Sequence, residues 1–291
     1  MTGGIRICRF FGFEVRLDFS WFVVFLLVLW TFAQSVFPAR TPGLSVSTYF
    51  TMAVVGASLF FASVLLHELA HSAMARARGI EVEGITLFIF GGMARIRSEA
   101  TNPRDEFLIT IVGPVSSALI GALLLVFAEV GDSLGLHRAF IDVAAYLAIL
   151  NFILAVFNLI PGFPLDGGRL LRSLVWHVTK DVRKATRIAA LSGQGFGYVM
   201  IGFGVFSLFK GFLVSGIWLI FIGWFLSQAA EASYRQLIMR RILQGVQVKE
   251  AMTRNPETVS ADVTLRDLVD NYFLMRRYSA FPVVDSTGKP L

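Results

Sequence analysis

Two histidines and a glutamate lie within five residues of one another and have the spacing of a metal site. They occur in the segment His67-Glu68-Leu69-Ala70-His71. Residues i and i+4 of a helix share one face, so both imidazoles can bind a single Zn²⁺ at about 2.0–2.1 Å. Glu68 points about 100° away from His67, where its carboxylate can take a proton from an attacking water. The pattern predicts a hydrolytic zinc site with His67 and His71 as ligands.

A catalytic zinc site needs a third protein ligand and an open position. His137 and His177, the other two histidines, are expected in an outward loop and in a basic cytoplasmic segment, away from the site. Asp166 is the acid that stands out, because it lies in a segment rich in proline and glycine, Asn158 to Arg169. Broken backbone at membrane depth is expected where it lines a cavity. On the residues alone, Asp166 either completes a His₂Asp ligand set or caps the helix that follows it.

Asn158 opens this segment and is a candidate contact for a substrate backbone. Its amide can both donate and accept hydrogen bonds, as an unwound peptide requires. Asparagines in membrane helices also form ordinary interhelical hydrogen bonds. The residue type by itself therefore leaves both roles open.

The composition places these residues in a membrane protein. Of 291 residues, 55% are hydrophobic and 16% are charged, whereas a soluble domain has about 25% charged residues. Six uncharged runs approach or exceed the roughly 20 residues that a helix needs to cross the hydrocarbon core. They are Phe19–Ala39, Tyr49–Leu66, Phe107–Ala128, Val143–Leu165, Ile188–Phe209 and Gly211–Ala230. Since the second run ends directly at His67, we expect its helix to continue through the site toward Arg76.

Lysines and arginines alternate between the two sides of the predicted membrane domain. The six segments before and between the runs carry three, one, five, one, six and one basic residues, followed by a basic exit. By the positive-inside bias both termini are cytoplasmic, and we expect a multi-pass protein of the inner or plasma membrane. The net charge of +6 is thereby explained without nucleic acid as a partner. The single cysteine, Cys8, excludes an intramolecular disulfide framework.

A shorter apolar stretch after the second run does not fit a spanning helix. Gly84–Ala94 is uncharged but only 11 residues long, and paired glycines between apolar segments are typical of a hairpin turn. We predict strands over Ile80–Phe90 and Met93–Ser98, with Gly91 and Gly92 in the turn, at the cytoplasmic interface. Bare sheet edges are not tolerated in lipid, so helices or a polar cavity must shelter this hairpin. A loop lying on the headgroups is the alternative.

The composition changes after Ala230 and becomes polar from Val248 onward. A helical pattern near Thr264–Met275 and a strand-like pattern at Ala280–Asp285 indicate a soluble α/β module. We therefore divide the chain into a membrane domain over residues 1–240 and a linker with a second domain over residues 241–291.

Taken together, the motifs resemble those of the site-2 protease family of intramembrane zinc metalloproteases. The resemblance rests on the HExxH segment at His67–His71, on Asn-x-x-Pro-x-x-Pro-Leu-Asp-Gly-Gly from Asn158 to Gly168, and on the Gly113-Pro114 pair between them. Six helices before a CBS-type module are similar to the prokaryotic subgroup of this family. The resemblance implies a polytopic α-helical membrane protein with six transmembrane helices, a membrane-associated β-hairpin and a partial α/β CBS module.

The same resemblance implies an activity and roles for the site residues. The activity is hydrolysis of peptide bonds in or near transmembrane segments of membrane proteins within the bilayer, as in regulated intramembrane proteolysis. Three residues would hold one zinc ion and a fourth would act as general base: His67, His71, Asp166 and Glu68. The hairpin, with Gly91 and Gly92, and Asn158 would hold an unwound substrate. One departure is Ser117, which stands where the family often has asparagine.

The resemblance also implies properties of the CBS module. The module stops at Leu291, where a full repeat would add another strand and a second copy would follow, so we expect a truncated domain. Paired CBS repeats bind adenine nucleotides and form dimers in such proteins. We therefore expect a nucleotide and a second chain as partners only where the CBS module is complete.

Two other functions are compatible with parts of this pattern. A CBS-regulated membrane transporter or channel would have six helices, but its polar residues would follow a pathway along several of them. A zinc-binding pseudoprotease that acts as a scaffold would bind the metal without cleaving. Metal analysis tests the first alternative, and a cleavage assay with a Glu68 variant tests the second.

Overall fold

The computed structural model describes residues 4–10, 12–89, 91–96, 100–243, 247–276 and 278–291. The chain divides into two compact units, of which the larger ends at Ile238 and the smaller runs from Met239 to Leu291. Within the described residues, the larger unit consists of helices and a four-stranded sheet, and the smaller unit contains short helices and a two-stranded sheet.

Six helical segments of the described chain are long and apolar enough to cross a membrane, as the uncharged runs predict. The first begins as α1 (Phe19–Thr31), passes through a π-helical turn (Phe32–Val36) and ends as α2 (Phe37–Arg40). The other five, together with the shorter helix α6 between the fourth and fifth, are α3 (Val46–Ala77), α4 (Pro103–Ser133), α5 (Arg138–Asn158), α6 (Asp166–Thr179), α7 (Val182–Phe209) and α8 (Leu213–Leu243).

Helix α3 carries the HExxH segment without interruption, as predicted. It begins after Ser45, whose Oγ accepts a hydrogen bond of 3.2 Å from the backbone N–H of Thr48. It ends at Ala77, so His71 lies six residues, or about 9 Å, before its last residue. The two histidines therefore sit on a rigid helix inside its C-terminal third rather than on a loop.

The predicted hairpin is present, but it belongs to a larger sheet. The strand order is β1 (Gly4–Phe10), β2 (Phe13–Asp18), β3 (Val82–Phe88) and β4 (Gly91–Ile96). Strands β3 and β4 are antiparallel, whereas β2 pairs with β3 in parallel, with Val15 opposite Ile85. The sequence interpretation missed the N-terminal hairpin of β1 and β2.

The prediction that Gly91 and Gly92 form the hairpin turn was wrong. Both are the first residues of β4, where Gly91 is opposite Phe88 and Gly92 is opposite Leu87. Ile89 lies in a turn after β3, and Gly91 begins β4 with a φ of 124°, which glycine adopts without steric cost. Position 90 and the predicted strand end at residues 97–98 lie outside the described residues.

One face of the sheet packs on α3, which shelters the hairpin as predicted. The buried cluster at this contact contains residues from β2, β3 and α3: Phe13, Leu17, Leu69, Ile85 and Leu87. In β2 the apolar residues alternate with polar ones and point inward, as a half-buried strand requires. Because Leu69 lies between Glu68 and Ala70, this packing fixes the sheet beside the HExxH segment.

The chain folds back sharply between α5 and α6. Within the turn the Leu165 N–H donates to Gly162 O at 3.1 Å, and the Gly168 N–H donates to Leu165 O at 3.0 Å. The turn is also held against α7, because the Phe163 N–H donates to Ala189 O at 3.2 Å. These bonds satisfy backbone groups that would be costly to bury unpaired, and they bring the start of α6 back toward α3 and α4.

The smaller unit has the elements of a partial α/β module. The predicted helix near Thr264–Met275 is present as a helical turn that continues as a π-helical turn, and the predicted strand at Ala280–Asp285 is shorter. The elements are α9 (Val248–Ala251), β5 (Val259–Ser260), α10 (Leu265–Leu268), the π-helical turn Val269–Phe273 and β6 (Val283–Val284). Strands β5 and β6 pair in parallel.

Candidate metal centre and active site

Three side chains from two helices meet in a nearly equilateral triangle. Asp166 Oδ2 lies 3.1 Å from His67 Nε2 and 3.1 Å from His71 Nε2. The two Nε2 atoms lie 3.2 Å apart. Both histidines are buried, and the Asp166 side chain is 13% exposed. The structure therefore brings together the three residues that the motifs select, although Asp166 is 99 residues from His67 along the chain.

Both imidazoles are oriented by hydrogen bonds at Nδ1. The Nδ1–H of His71 donates to the backbone carbonyl of Ile109 at 2.7 Å. Since a carbonyl can only accept, this bond fixes the tautomer and leaves Nε2 of the neutral ring with its lone pair. His67 Nδ1 forms a hydrogen bond of 2.9 Å with Ser117 Oγ. Such bonds orient metal-binding histidines and raise their basicity.

Ser117 therefore makes a polar contact at the position where the family often has asparagine. Its side chain is buried on α4 and contacts the first histidine of the motif. Ile109 lies two turns earlier on the same helix, and its contribution is a backbone carbonyl. The sequence could not have identified this second contact, because every residue type has the same backbone carbonyl.

Gly113 allows α4 to approach the two histidines. A Cβ atom at this position would lie 2.8 Å from His67 Nε2 and closer still to His71 Nε2. Any side chain would therefore displace the imidazoles or α4 itself. Glycine at position 113 thus has a steric reason: the α4 backbone lies directly against the ligand atoms.

Asp166 does not cap α6. The N-cap is Leu165, and Asp166 is the first helical residue, with its carboxylate directed at the imidazoles. Asp166 Oδ2 lies 3.1 Å from Nε2 of each imidazole. An ionised carboxylate is the form in which aspartate binds metals, and this position suits that form.

Glu68 lies between the metal-binding face of α3 and strand β4. A Cβ atom on Gly92 would lie 2.8 Å from Glu68 Cδ, so the absent side chain at Gly92 leaves the room that the carboxylate occupies. Gly92 was predicted as a turn residue, and its observed position gives it a different role. The strand passes directly beside the acid that follows His67.

The remaining sequence candidates are not members of the donor triangle. Asn158 is the last residue of α5, and its Nδ2 donates to Leu154 O of the same helix at 3.0 Å. His137 caps α5, where its Nδ1 accepts a hydrogen bond of 3.2 Å from the Ala139 N–H. His177 lies in the last turn of α6. Neither of these histidines belongs to the cluster of possible metal ligands found among the described residues.

The donor set fits zinc. Two imidazole nitrogens and one carboxylate oxygen are a common combination in catalytic zinc sites, which keep a further position open. The donor–donor distances of 3.1–3.2 Å are short enough for one ion at about 2.0–2.1 Å from each donor. Bringing two lone-pair nitrogens and a carboxylate this close without a cation between them is electrostatically unfavourable.

Comparison with known proteins agrees with this chemistry. The profile of peptidase family M50 matches residues 55–136 and 127–202. The profile of the CBS domain matches residues 248–291. The M50 match includes α4 and the part of α3 that carries the histidines, and the CBS match covers most of the smaller unit.

Proteins named as zinc metalloproteases are similar over most of the chain. The zinc metalloprotease Rip3 of Mycobacterium tuberculosis is 37% identical over 99% of this chain and 73% of its own length. The zinc metalloprotease sll0528 of Synechocystis is 36% identical over 94% of this chain and 71% of its own length. The solved site-2 protease of Methanocaldococcus jannaschii is 29% identical, with a TM-score of 0.53 over 79% of this chain and 95% of that chain.

The fold and the site define an intramembrane zinc metalloprotease. The chain belongs to peptidase family M50, the site-2 proteases, and carries a CBS domain after its membrane helices. It is a multi-pass membrane protein, and zinc is its family's metal. These relationships do not favour the transporter, channel or scaffold alternatives.

Proposed function

We propose that His67, His71 and Asp166 hold the zinc ion of this protease and that Glu68 is its general base. The observation that carries the proposal is the triangle of donor atoms, closed by a residue 99 positions away from the first histidine. The hydrogen bonds that orient His67 and His71 at Nδ1 also support the proposal. A helix cap or an ordinary ion pair would not require two imidazoles fixed with Nε2 toward one carboxylate oxygen.

The residues divide the chemistry among them. A zinc ion in this triangle would act as a Lewis acid on the scissile carbonyl and on the attacking water. Glu68 takes the proton from that water and returns it to the leaving amine. Helix α4 excludes bulk water from the histidine face, because Gly113 brings its backbone against both rings.

The substrates that fit this site are membrane proteins with an unwound segment. A peptide bond within a helix is shielded by its own hydrogen bonds, so the substrate must become extended before attack. Strand β4 pairs with β3 and is an edge strand of the four-stranded sheet. An extended segment can add to such an edge through backbone hydrogen bonds, beside Glu68. Asn158 would contribute a further amide contact from the end of α5.

The distribution of basic residues supports one orientation of the protein in the membrane. The basic residues that precede α1 and follow α3 and α5 favour the cytoplasmic side, which puts the HExxH end of α3 near the inner face of the plasma membrane. The substrate would then be cut near its cytoplasmic end. An adenine nucleotide and a dimer partner for the CBS module remain expectations from the family.

The test is a cleavage assay with the variant Glu68→Gln. The purified enzyme is reconstituted in liposomes with a protein that has one apolar transmembrane segment, and the product termini are located by mass spectrometry. Glu68→Gln retains size and hydrogen bonding but loses the base, so we expect cleavage to fall about 10²–10⁴-fold with zinc content unchanged. Glu129→Gln, an exposed glutamate on α4, is the matched control and should cleave normally. Normal turnover by Glu68→Gln would exclude it as the base.

A further inference from the structure

A buried ion pair joins α4 to α6 and has no part in the chemistry described above. Glu106, in the first turn of α4, is completely buried, and the Arg172 side chain is 12% exposed. Arg172 Nε donates to Glu106 Oε1 at 2.6 Å, and Nη2 pairs with the same oxygen. Glu106 Oε2 is buried without a hydrogen-bond partner among the described residues.

This pair is poorly explained as a source of stability. Removing two charges from water costs more than their attraction returns unless every remaining lone pair is satisfied. Here the two contacts of the guanidinium with Glu106 go to one carboxylate oxygen, and the other oxygen has no hydrogen-bond partner within the described part of the chain. Buried pairs of this kind are best attested as devices that fix one arrangement of packed elements. The pair therefore fixes the position of α6 relative to α4.

Arg172 holds the chain on both sides of Asp166. It lies six residues after Asp166 on α6, and its guanidinium carbon lies 5.5 Å from the centre of the Phe163 ring, three residues before Asp166. Phe163 is itself buried and bonded through its N–H to α7. The carboxylate that faces the histidines thus lies in a segment, Phe163 to Arg172, whose first and last residues contact each other.

Helix α4 is the common reference for all three ligand side chains. Through Ser117 it orients His67, and through the carbonyl of Ile109 it orients His71. Glu106 lies one turn before Ile109 and is the residue through which α4 contacts Arg172. A shift of α6 along α4 would therefore move Asp166 against two rings that stay fixed.

We propose that Glu106 and Arg172 are positioning residues that set the place of Asp166 in the metal site. The proposal rests on Asp166 being a zinc ligand. The pair acts through the position of α6 relative to α4 and touches neither the metal nor the substrate. Its loss lowers metal affinity and distorts the coordination geometry, even where the fold is fully retained.

The experiment separates positioning from folding with a double variant. Arg172→Met alone leaves the Glu106 carboxylate buried and unpaired, so the metal-free enzyme should unfold at a lower temperature. Glu106→Leu with Arg172→Met removes both charges and fills similar volume, a change that is often neutral or stabilising. We expect the double variant to recover the melting temperature of the metal-free wild type in detergent micelles.

The same double variant should not recover metal binding. We expect its zinc affinity, measured by chelator competition, to be about 10–100-fold weaker than wild type, the usual loss when a group that orients a ligand is removed. The visible absorption bands of the Co²⁺-loaded protein should shift, because they report ligand geometry. The control is the exposed pair Glu231 and Arg235 on α8, whose Glu231→Leu/Arg235→Met variant should match wild type in both measurements.

Two outcomes would overturn specific parts of this account. A double variant with wild-type zinc affinity and an unchanged Co²⁺ spectrum would show that the pair does not position Asp166. Full zinc binding by Asp166→Ala would instead remove Asp166 from the ligand set and with it the proposed zinc site. Because the second result comes from a different variant, failure of the positioning role and failure of the ligand assignment are distinguishable.

Discussion

The two halves of the bundle formed by α3, α4 and α5 differ in what fills them. Around the HExxH segment the contacts between helices are polar and close, with Ser117, Thr110 and Glu106 all buried on α4. Toward the other end of the same helices, Met52, Val143 and Leu147 line an apolar cavity of about 490 Å³. The three helices thus pack tightly at one end and loosely at the other.

The difference shows where this protein needs defined geometry. In a bilayer, lipid tails are as apolar as the helix surfaces, so helices associate through close packing and hydrogen bonds. Direct hydrogen bonds and the side-chain-free surface of Gly113 fix the distances at the metal end. At the cavity end the buried residues Met52, Val143 and Leu147 make apolar contacts, which tolerate gaps at a cost in stability. Substitutions at the two ends should therefore separate zinc binding from stability.

The largest loss of zinc is expected for Asp166→Ala. Removing one of three donors should weaken zinc binding by more than the about 10–100-fold that follows from losing an orienting group. Zinc content of the purified protein, measured by atomic emission, checks the expectation. Asp181→Ala, which removes the N-cap of α7, is a control for loss of an aspartate at a helix start. Equal zinc content in both variants would contradict the ligand assignment.

The next largest effect is expected for Gly113→Ala. The added Cβ would lie 2.8 Å from His67 Nε2, so the rings or α4 must shift, and a displacement of about 1 Å can cost 10²-fold in rate. Cleavage of the reconstituted substrate measures this loss. Gly202→Ala on α7 adds the same methyl group where no atom lies within 4 Å, and it should cleave as wild type does. Activity of Gly113→Ala at the level of this control would show that α4 does not approach so closely.

A smaller effect is expected for Ser117→Ala. The variant loses the 2.9 Å hydrogen bond to His67 Nδ1, and zinc affinity should fall about 10-fold, at the low end of such losses. Ser116→Ala is the matched control, because its hydroxyl donates to Gly113 O of its own helix at 2.7 Å. Chelator competition on both variants measures the difference. Identical zinc affinities of the two variants would mean that the Ser117 hydroxyl does not support zinc binding by His67.

The smallest effect on zinc is expected at the cavity end, for Leu147→Ala. Leu147 is buried with Phe32 and Met52, and truncation enlarges the cavity, so the free energy of unfolding should fall by about 2–5 kcal/mol. Zinc affinity should stay at the wild-type value. Thermal unfolding and chelator competition on one preparation test both statements. A parallel loss of zinc affinity would show that the two ends are coupled and would remove the contrast between them.

The sequence predicted the site better than it predicted the sheet. His67, Glu68 and His71 are recognisable because a helix fixes their relative positions within one turn. The alternation of Phe13, Val15 and Leu17 with polar residues was a usable signal for β2. Its parallel partner β3 lies about 70 residues later, however, and strand patterns do not specify such distant pairing. Gly92 was misinterpreted because a turn and a close approach to Glu68 require the same residue type.

The sequence by itself determined the membrane helices and the metal chemistry. Both follow from short-range rules: the length of an uncharged run against the thickness of a bilayer, and the i, i+4 spacing of imidazoles on one helix. Only the tertiary structure decided whether Asp166 faces those imidazoles or caps α6, which carbonyl orients His71, and which buried pair joins α6 to α4. These contacts join residues 38 to 99 positions apart, and they depend on how closely helices pack, a property of the whole bundle that no local pattern contains.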